Sequence, residues 1–176
     1  MKRINFQHGL WAIVAVVLLA FTMFSCDSIA KKRADKHWSV SSTHDFPNTN
    51  WAFEEEVLDF PFEVADTSRY YDVSLTLVYD TATVNLRDIP LTLMLTTPDG
   101  MQSIASSHFL LDPITNPDVK KTRNGNNAEV TVVVFPRRKF KVTGSYNLNV
   151  YRRAEKADNY GFQSLTMKVT ASKEQK

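Results

Sequence analysis

The residue with the most evident chemistry in this sequence is its single cysteine, Cys26. It directly follows Ser25, which closes an apolar run over residues 10–24 that is preceded by a basic start. A positive start, a short apolar run and a small residue before the cut are typical of a secretory signal. A cysteine at that position resembles the bacterial lipobox, in which the thiol is acylated and becomes the first residue of the mature chain. The sequence therefore predicts a lipoprotein signal peptide over 1–25 and lipidation of Cys26.

Two other interpretations of the amino terminus stay open. The uncharged run 9–26 is close to the length of a short membrane-spanning helix, and a plain secretory signal would leave no anchor. An acylated cysteine would hold the protein on a membrane surface outside the cytoplasm, since each buried acyl CH₂ contributes roughly 0.8 kcal/mol. With one thiol in the chain, an intramolecular disulfide, a CxxC pair and a cysteine-rich zinc site are excluded.

The remaining residue types that do chemistry lack the spacing for it. The histidines form neither an HExxH motif nor a pair at metal-ligand spacing, and no Gly-x-Ser-x-Gly elbow is present. We therefore expect no histidine metal site, no cofactor and no nucleophilic enzyme. The histidines are His8, His37, His44 and His108.

Carboxylates are the other candidates for catalysis. Glu54, Glu55 and Glu56 are consecutive, and Asp59 and Glu63 fall on the outward side of a predicted strand. Two acids about 5 to 10 Å apart can cleave glycosides. Acids on the solvent face of a strand ordinarily keep a protein soluble, and we expect that role here.

A long polar loop is predicted over residues 112–127, which are rich in Asn and Pro. Asp112, Asn116 and Asp118 within it supply the oxygen ligands that calcium prefers. Their spacing matches no EF-hand, so we expect no metal there.

Composition and charge exclude several classes of protein. The chain has 176 residues, 21 Lys+Arg against 19 Asp+Glu, and 43% hydrophobic residues, which excludes a disordered or collagen-like chain. Two of the basic residues and no acid lie in the first 25, so the chain from Cys26 onward is formally neutral. Basic clusters remain at 120–123, 137–141 and 152–153. On a neutral, exported domain they do not indicate nucleic acid; they either discourage edge-to-edge strand association or form a face for a partner.

These side chains must be positioned by strands, because the apolar pattern after residue 50 has a period of two. Apolar and polar residues alternate over 58–64 and over 71–79, as on half-buried strands. Pro98-Asp99-Gly100 has the composition of a tight turn, so 91–105 is predicted to be a hairpin. About eight such strands, broken by Gly or Pro, predict an all-β domain over 51–176: an antiparallel β-sandwich, jelly-roll-like.

Residues 26–50 are predicted to form a lipidated tether that holds this domain off the bilayer. Four basic residues lie within 31–36, and a stretch rich in Ser, Thr, Asn and Pro follows over 39–50. The basic residues either contact anionic lipid head groups, at about 1 kcal/mol per charge near the surface, or are simply solvated.

A series of short strand and turn patterns follows in a set order along the exported chain. It comprises Ser25-Cys26, Trp51, Phe60-Pro61-Phe62-Glu63-Val64, Asp66-Thr67, Arg69-Tyr70, Tyr79, Pro90-Leu91-Thr92-Leu93, Pro98-Asp99-Gly100, Phe135-Pro136, Gly144-Ser145-Tyr146-Asn147-Leu148, and Leu165, Met167 and Val169. In this order the patterns resemble the gliding-motility lipoproteins called GldH, found in bacteria of the Bacteroidota. The middle segment 112–127 lacks the Gly/Trp-rich character expected in that family, so the chain resembles a divergent member.

The resemblance implies a membrane-anchored cell-envelope lipoprotein that faces the periplasm or the cell surface. It further implies a non-enzymatic structural or assembly component of the gliding and secretion machinery, with other envelope proteins as partners; because non-gliding relatives also carry such lipoproteins, motility is not implied. The alternative is a surface glycan-binding sandwich, in which Trp38, Trp51 or Tyr160 would stack on sugar. Aromatics exposed on one sheet face would favour glycan binding, and buried aromatics the structural role. An envelope hydrolase would need an acid pair in a cleft.

Overall fold

The predicted signal peptide and the lipidation site at Cys26 lie outside the residues that the structure describes, as do the acids at 54–56. Ser39–Lys176 forms one compact unit. The structure of the protein is a computed structural model that describes residues 38–51, 57–121, 125–153 and 159–172.

Strands account for nearly every described element, as the period of two predicts. β-Branched and aromatic residues favour the pleated, half-buried surface of a strand. The hairpin predicted over 91–105 is present and extends further in both directions, from Asp88 to Leu110. The strands in chain order are β1 Ser39–Asp45, β2 Asn50–Trp51, β3 Leu58–Val64, β4 Tyr70–Asp80, β5 Asp88–Thr96, β6 Gln102–Leu110, β7 Lys120–Lys121, β8 Asn127–Lys139, β9 Gly144–Arg152, β10 Asn159–Tyr160 and β11 Phe162–Ala171.

These strands form an antiparallel β-sandwich, which confirms the predicted fold. Sheet I has the order β1-β11-β4-β8-β7, and sheet II has the order β3-β9-β5-β6. The pairs β1–β11, β3–β9, β4–β8 and β5–β6 make one long antiparallel ribbon of the eight long strands. The ribbon folds so that β11 pairs with β4 and β9 with β5, which completes the two sheets. This is a jelly-roll order.

The core lies between the two sheets, and every long strand except β1 contributes buried side chains to it. β3 alternates strictly between buried and exposed residues from Leu58 to Val64. Burying a Leu or Val side chain contributes roughly 1.5–3 kcal/mol, so a one-residue slip that turned this face to water would be strongly disfavoured. The middle of the core is aliphatic and includes Val73, Leu75, Leu77, Leu91, Leu93, Leu95, Leu148, Val150, Leu165 and Met167.

Aromatic side chains fill both ends of this aliphatic core. Around Phe140, the ring centroids of Tyr146, Tyr71 and Phe62 lie at 4.7, 5.4 and 5.7 Å. A second group, at the other end, is formed by Phe46, Trp51 and Phe162. Offset and edge-to-face ring pairs contribute about 0.5–1.5 kcal/mol beyond their burial.

The domain begins earlier than the sequence predicts. Residues 39–50 were expected in the tether, but Ser39–Asp45 forms β1, which pairs along its full length with β11. Phe46, directly after β1, is 5% exposed and stacks on Trp51 with centroids 5.0 Å apart. β1 is composed mostly of Ser and Thr because it is an edge strand, held by backbone hydrogen bonds rather than by apolar side chains. The boundary therefore lies near Ser39 rather than Trp51.

Close packing of the backbone occurs at Gly161, between β10 and β11. Its φ is +98°, and a Cβ there would lie 2.8 Å from Val84 Cγ2 and 2.9 Å from Thr83 Cβ. Gly100, in the β5–β6 turn, also has a positive φ, of +81°, but a Cβ there would meet no heavy atom within 4 Å. Replacing either glycine by alanine would therefore strain the backbone, because φ is positive at both. The two positions differ in the space that is available for the added methyl group.

We expect Gly161→Ala to lower the free energy of unfolding by roughly 1–3 kcal/mol more than Gly100→Ala does, because only the former overpacks its site. Urea unfolding of the two variants side by side measures the difference. Equal losses would show that the turn at Thr83 moves aside without cost, which would contradict the packing described.

Candidate functional site

The acids predicted on the outward side of a strand are placed there but are not a catalytic pair. Asp59 and Glu63 both lie on the exposed face of β3. Residues four apart on a strand are about 13 Å apart, which is wider than the roughly 5 to 10 Å of glycosidase acids. Asp59 Oδ1 instead accepts hydrogen bonds from Nδ2 of Asn149 and, at 3.3 Å, from Nδ2 of Asn147. Asp59 thus links β3 to β9.

The candidate calcium ligands are engaged in turns. Asp112 Oδ1 accepts the backbone N–H of Ile114 at 2.9 Å, and Asn116 Nδ2 donates to the Leu110 carbonyl at 2.8 Å. Asn116 Oδ1 accepts the N–H of Asp118 at 3.0 Å. Within the described ranges no three His, Cys, Asp or Glu side chains gather at metal-binding distances.

The aromatic residues considered for sugar stacking do not form one exposed face. Trp51 is fully buried among Phe46 and Phe162 and cannot present its ring to a ligand. Tyr160 is 54% exposed and lies on the short strand β10, which pairs with β2. Trp51 therefore contributes to the core, as the structural interpretation expects.

The end of the sandwich at which β1 begins carries one of the predicted basic clusters. The register places Ser39 opposite Thr170, and Thr170 opposite Asp72. Tyr70 pairs with Lys139 at the same end of sheet I. This end, named the basic end, consists of Ser39 and Tyr70, of the connections 65–69, 97–101 and 140–143, and of the last four residues of β8, 136–139.

The three basic clusters are not joined into one surface. The cluster 137–141 lies at the basic end, whereas β7 and Arg152 lie at the opposite end of the sandwich. Arg152 is only 7% exposed, with its guanidinium carbon 6.0 Å from the centre of a Trp51 ring. Residues 122–124 lie outside the described part of the chain.

A β-bulge redirects the side chains at the basic end. The pairing of β4 with β8 shifts between Tyr71–Arg138 and Val73–Phe135. Arg137, in the bulge, has a φ of 48°, a left-handed conformation that costs a non-glycine residue about 1–3 kcal/mol. Its backbone N–H donates to Asp72 Oδ1 at 2.7 Å, which stabilises the bulge. Bulges commonly re-aim side chains in this way.

The redirected side chains flank an exposed tyrosine. The guanidinium carbon of Arg137 lies 5.3 Å from the centre of the Tyr70 ring, and Lys139 Nζ lies 5.1 Å from it. Lys139 Nζ also donates to the Ser68 carbonyl at 2.8 Å. Tyr70 is 45% exposed. The result is an amphipathic ring with two cations close to its centre, each such contact being worth about 0.5–1 kcal/mol at an exposed site.

The connection that carries these groups is anchored in the core. Phe140, between Lys139 and Lys141, inserts into the aromatic group described above and is 2% exposed. Tyr146 Oη donates to the Val142 carbonyl at 2.7 Å. The basic side chains therefore project from a backbone that is tied down on both sides of Lys141.

Two carboxylates in the neighbouring connections are held ionised by local hydrogen bonds. The hydroxyl and backbone N–H of Ser68, together with Arg69, donate to Asp66 and lower the pKa of its carboxyl group. The Thr97 hydroxyl likewise lowers the pKa of Asp99. The Asp66 carbonyl accepts a hydrogen bond from Tyr71 Oη at 2.5 Å, so this connection is also tied to the core.

The sandwich has one guarded side and one open side. On the guarded side, β3 contains Pro61 and exposes Asp59 and Glu63, features that discourage added strands. On the open side, β6 pairs only with β5 among the described residues, and β8 beyond Glu129 pairs only with β4. The edges of β6 and β8 lie close together and are linked by Arg138 Nη2, which donates to Ser103 Oγ at 3.3 Å.

The open side is apolar for an edge. Residues 130–135 of β8 hold four valines and a phenylalanine with a single threonine and no charge, and Val133 is 50% exposed. On β6, Ile104 is 73% exposed. An unprotected apolar edge is a template for pairing with another strand.

The outer face of sheet I shows a surface that the sequence did not indicate. The register aligns Thr43, Thr166, Thr76 and Thr131 in one row across four strands. Hydroxyl hydrogen bonds of 2.8 Å join Thr43 to Thr166 and Thr76 to Thr131. Cross-strand Thr pairs of this kind contribute roughly 0.2–1 kcal/mol each, so the row supports the register.

None of the described segments is a helix with the length and apolar character needed to cross a bilayer. No family model and no curated protein matches the chain.

Three solved structures with some likeness to the chain are distant from it. The infectious bursal disease virus VP2 subviral particle is 13% identical, with a TM-score of 0.40 over 78% of this chain and 33% of that one. Eiger TNF from S. frugiperda is 9% identical, with a TM-score of 0.39 over 80% of this chain and 96% of that one. The Clostridium perfringens CspB protease is 6% identical, with a TM-score of 0.34 over 78% and 25%. The chain thus spans about a third of the VP2 chain, and likenesses this distant carry no argument about function.

Asp66 makes the folding stability of the domain depend on pH. Because its pKa is lowered on folding, its contribution to stability is present above the unfolded value of 3.8 and is lost as the pH falls through the folded value. We expect Asp66→Asn to be less stable than the wild type at neutral pH, and the difference to shrink as the pH falls below 3.8 and through the lower, folded pKa of Asp66. Urea midpoints measured across this range test the prediction.

Ser68→Ala should reduce the same pH dependence, since the Ser68 hydroxyl is the largest cause of the lowered pKa. Thr67→Ala, next to it, is the matched control and should leave the pH dependence unchanged. A stability difference for Asp66→Asn that stays constant down to the lowest pH would contradict the assignment.

Proposed function

We propose that this protein is a lipid-anchored, non-enzymatic component of a bacterial cell envelope that binds other envelope proteins. The basic start, the apolar run and Cys26 support the anchor. The order of strand and turn patterns supports a role like that of the GldH gliding-motility lipoproteins, as a structural or assembly component. The domain then faces the periplasm or the cell surface, with its acyl chains in the membrane.

The observation that carries the protein-binding part is the open side formed by β6 and β8. Along an edge strand, every second residue directs its N–H and C=O away from the sheet. An extended segment of another protein can pair with these groups, and its alternate side chains then contact the apolar residues of the edge. Ile104 and Val133 are the exposed apolar side chains available for such contacts.

The contrast between the two sides strengthens this proposal. Pro61 and the flanking acids guard β3, and β1 on the same side has Ser or Thr at four of its seven positions. Residues 130–135 carry no equivalent protection, since their first proline comes at the end of the run, at Pro136. A sandwich that guards one side and leaves the other apolar is suited to pairing on the open side alone.

The anchor is tested by Cys26→Ala. We expect the wild type to partition with membranes and to incorporate a labelled fatty acid, and the variant to lose the label, because the thiol is the acylation site. Membrane fractionation and acyl labelling of intact cells measure both. A Cys26→Ala protein that still carries the acyl label would overturn the lipidation.

The open side is tested by Val133→Lys with Ile104→Lys, which places charge on both edges. Crosslinking of intact cells followed by pull-down of the tagged protein should recover envelope proteins with the wild type and severalfold less with this variant, because edge lysines oppose strand addition. Ile114→Lys makes the same chemical change at a residue that is 92% exposed and outside the strands, and should leave recovery unchanged.

Two outcomes would contradict the proposed function. Undiminished recovery with the Val133→Lys, Ile104→Lys variant, shown to be folded by circular dichroism, would remove the open side as the docking surface. Recovery of polysaccharide without envelope proteins would instead favour the glycan-binding alternative.

A further inference from the structure

The chain passes from the predicted anchor into the domain at the basic end. Ser39 begins β1, and the register places it level with Thr170 and Asp72, beside the Tyr70–Lys139 pair. The segment 27–38 contains twelve residues, which span at most about 40 Å when fully extended. If Cys26 is acylated, as proposed above, the basic end is therefore the part of the domain whose attachment point is tethered closest to the bilayer.

The basic end differs from the opposite end of the sandwich in its excess of positive charge. Its segments 65–69, 97–101 and 136–143 hold five basic side chains against two acidic ones, and Asp72, level with Ser39 on β4, is a third acid at this end. Asp66, one of these acids, is engaged by Ser68 and Arg69. The connections at the opposite end, 46–57, 81–87, 111–126 and 153–161, hold seven acidic and six basic residues in the sequence. The domain from Ser39 onward holds 15 basic and 17 acidic residues, and its excess of positive charge is thus gathered at the end where the chain leads back to the anchor.

Exposed apolar side chains accompany the charge. Tyr70, Met101 and Val142 belong to the basic end and are 45%, 61% and 39% exposed. Tyrosine suits a membrane–water interface because one end of the ring is apolar and the other is polar. Basic residues interspersed with exposed apolar ones are typical of surfaces that bind anionic lipid.

The geometry of these groups is set in advance. The left-handed Arg137 and its bond to Asp72 place two cations beside the Tyr70 ring, and Phe140 fixes the connection between Lys139 and Lys141. A residue held in a sparsely populated backbone conformation by its surroundings points to function. Pre-organised cations also lose less conformational entropy when they bind a surface.

We propose that the basic end docks on an anionic phospholipid bilayer, with Arg137, Lys139 and Lys141 against head-group phosphates and Tyr70 at the interface. The acyl anchor of the proposed function brings the domain to the membrane, and this surface then orients it. In that orientation the strands stand away from the bilayer, and the open side of β6 and β8 stays accessible to other proteins.

The test uses the chain from Asp27 onward, so that acylation plays no part in binding. All buried hydrophobic residues of the described core lie between Phe46 and Val169, so this chain retains the complete core. Co-sedimentation with vesicles of phosphatidylcholine containing about 30% phosphatidylglycerol should exceed that with phosphatidylcholine alone by about tenfold at about 0.1 M salt. Binding should be lost at about 1 M salt, because exposed charges are then screened.

Charge reversal at the two ends provides the matched comparison. Arg137→Glu with Lys139→Glu and Lys141→Glu should lower binding to the anionic vesicles by at least about tenfold. Because Arg137 lies in the bulge, Lys141→Glu alone is measured as well and should weaken binding without affecting the fold. The control makes the same change in net charge at the opposite end, with Arg87→Glu, Lys120→Glu and Arg153→Glu, and should bind like the wild type.

Tyr70→Ser tests the apolar contribution at constant charge and should weaken binding severalfold. Equal binding to both kinds of vesicle, or equal losses from the two charge-reversed triple variants, would overturn the membrane surface. So would a basic-end variant that binds vesicles normally but recovers fewer crosslinked envelope proteins, since the surface would then be a protein interface. In each of these cases the wild type can still partition with membranes through an acylated Cys26. The membrane surface can therefore be rejected without rejecting the lipid anchor.

Discussion

Burial of apolar side chains between the two sheets, by every long strand except β1, is the constraint on which the rest of the structure depends. Because side chains alternate along a strand, this burial sets the register of each pair to within one residue. The register then decides which residues share a row across a sheet and which connections meet at an end. The basic end, the threonine row and the open side are all consequences of a register set by buried Leu, Val and Met side chains.

Much of the fold could be predicted from the sequence because the decisive signals are local. Alternation over 58–64 and 71–79 and the turn Pro98-Asp99-Gly100 lie within single strands or hairpins. The start of the domain could not be predicted, since β1 is polar and gains its place from backbone hydrogen bonds to β11, a partner more than a hundred residues away. Phe46, directly after it, stacks on the nearby Trp51 and also contacts Phe162, which is distant in sequence.

The candidate functional residues also fall into two groups, those that the local sequence indicates and those that depend on strand pairing. Lipidation of Cys26 is predicted from its immediate neighbours alone, because a lipobox is a contiguous motif. The grouping of Tyr70 with Arg137 and Lys139 could not be predicted, since it depends on strand pairing and on a bulge that has no local signal. The basic cluster was evident in the sequence, but its position beside Ser39 follows only from the register. Trp51 was similarly ambiguous, and its burial depends on Phe46 and Phe162.

The path of β1 has a mechanical consequence. Its seven residues run antiparallel to β11, starting from the end where the chain comes in. A pull on Ser39 directed outward along the strand loads the hydrogen bonds between β1 and β11 together, in shear, whereas a sideways pull would break them one after another. β11 is in turn paired with β4 in the interior of sheet I, so the load spreads into the centre of the sheet. A domain attached through this strand can transmit force between a membrane and whatever it holds without peeling open from its own attachment point.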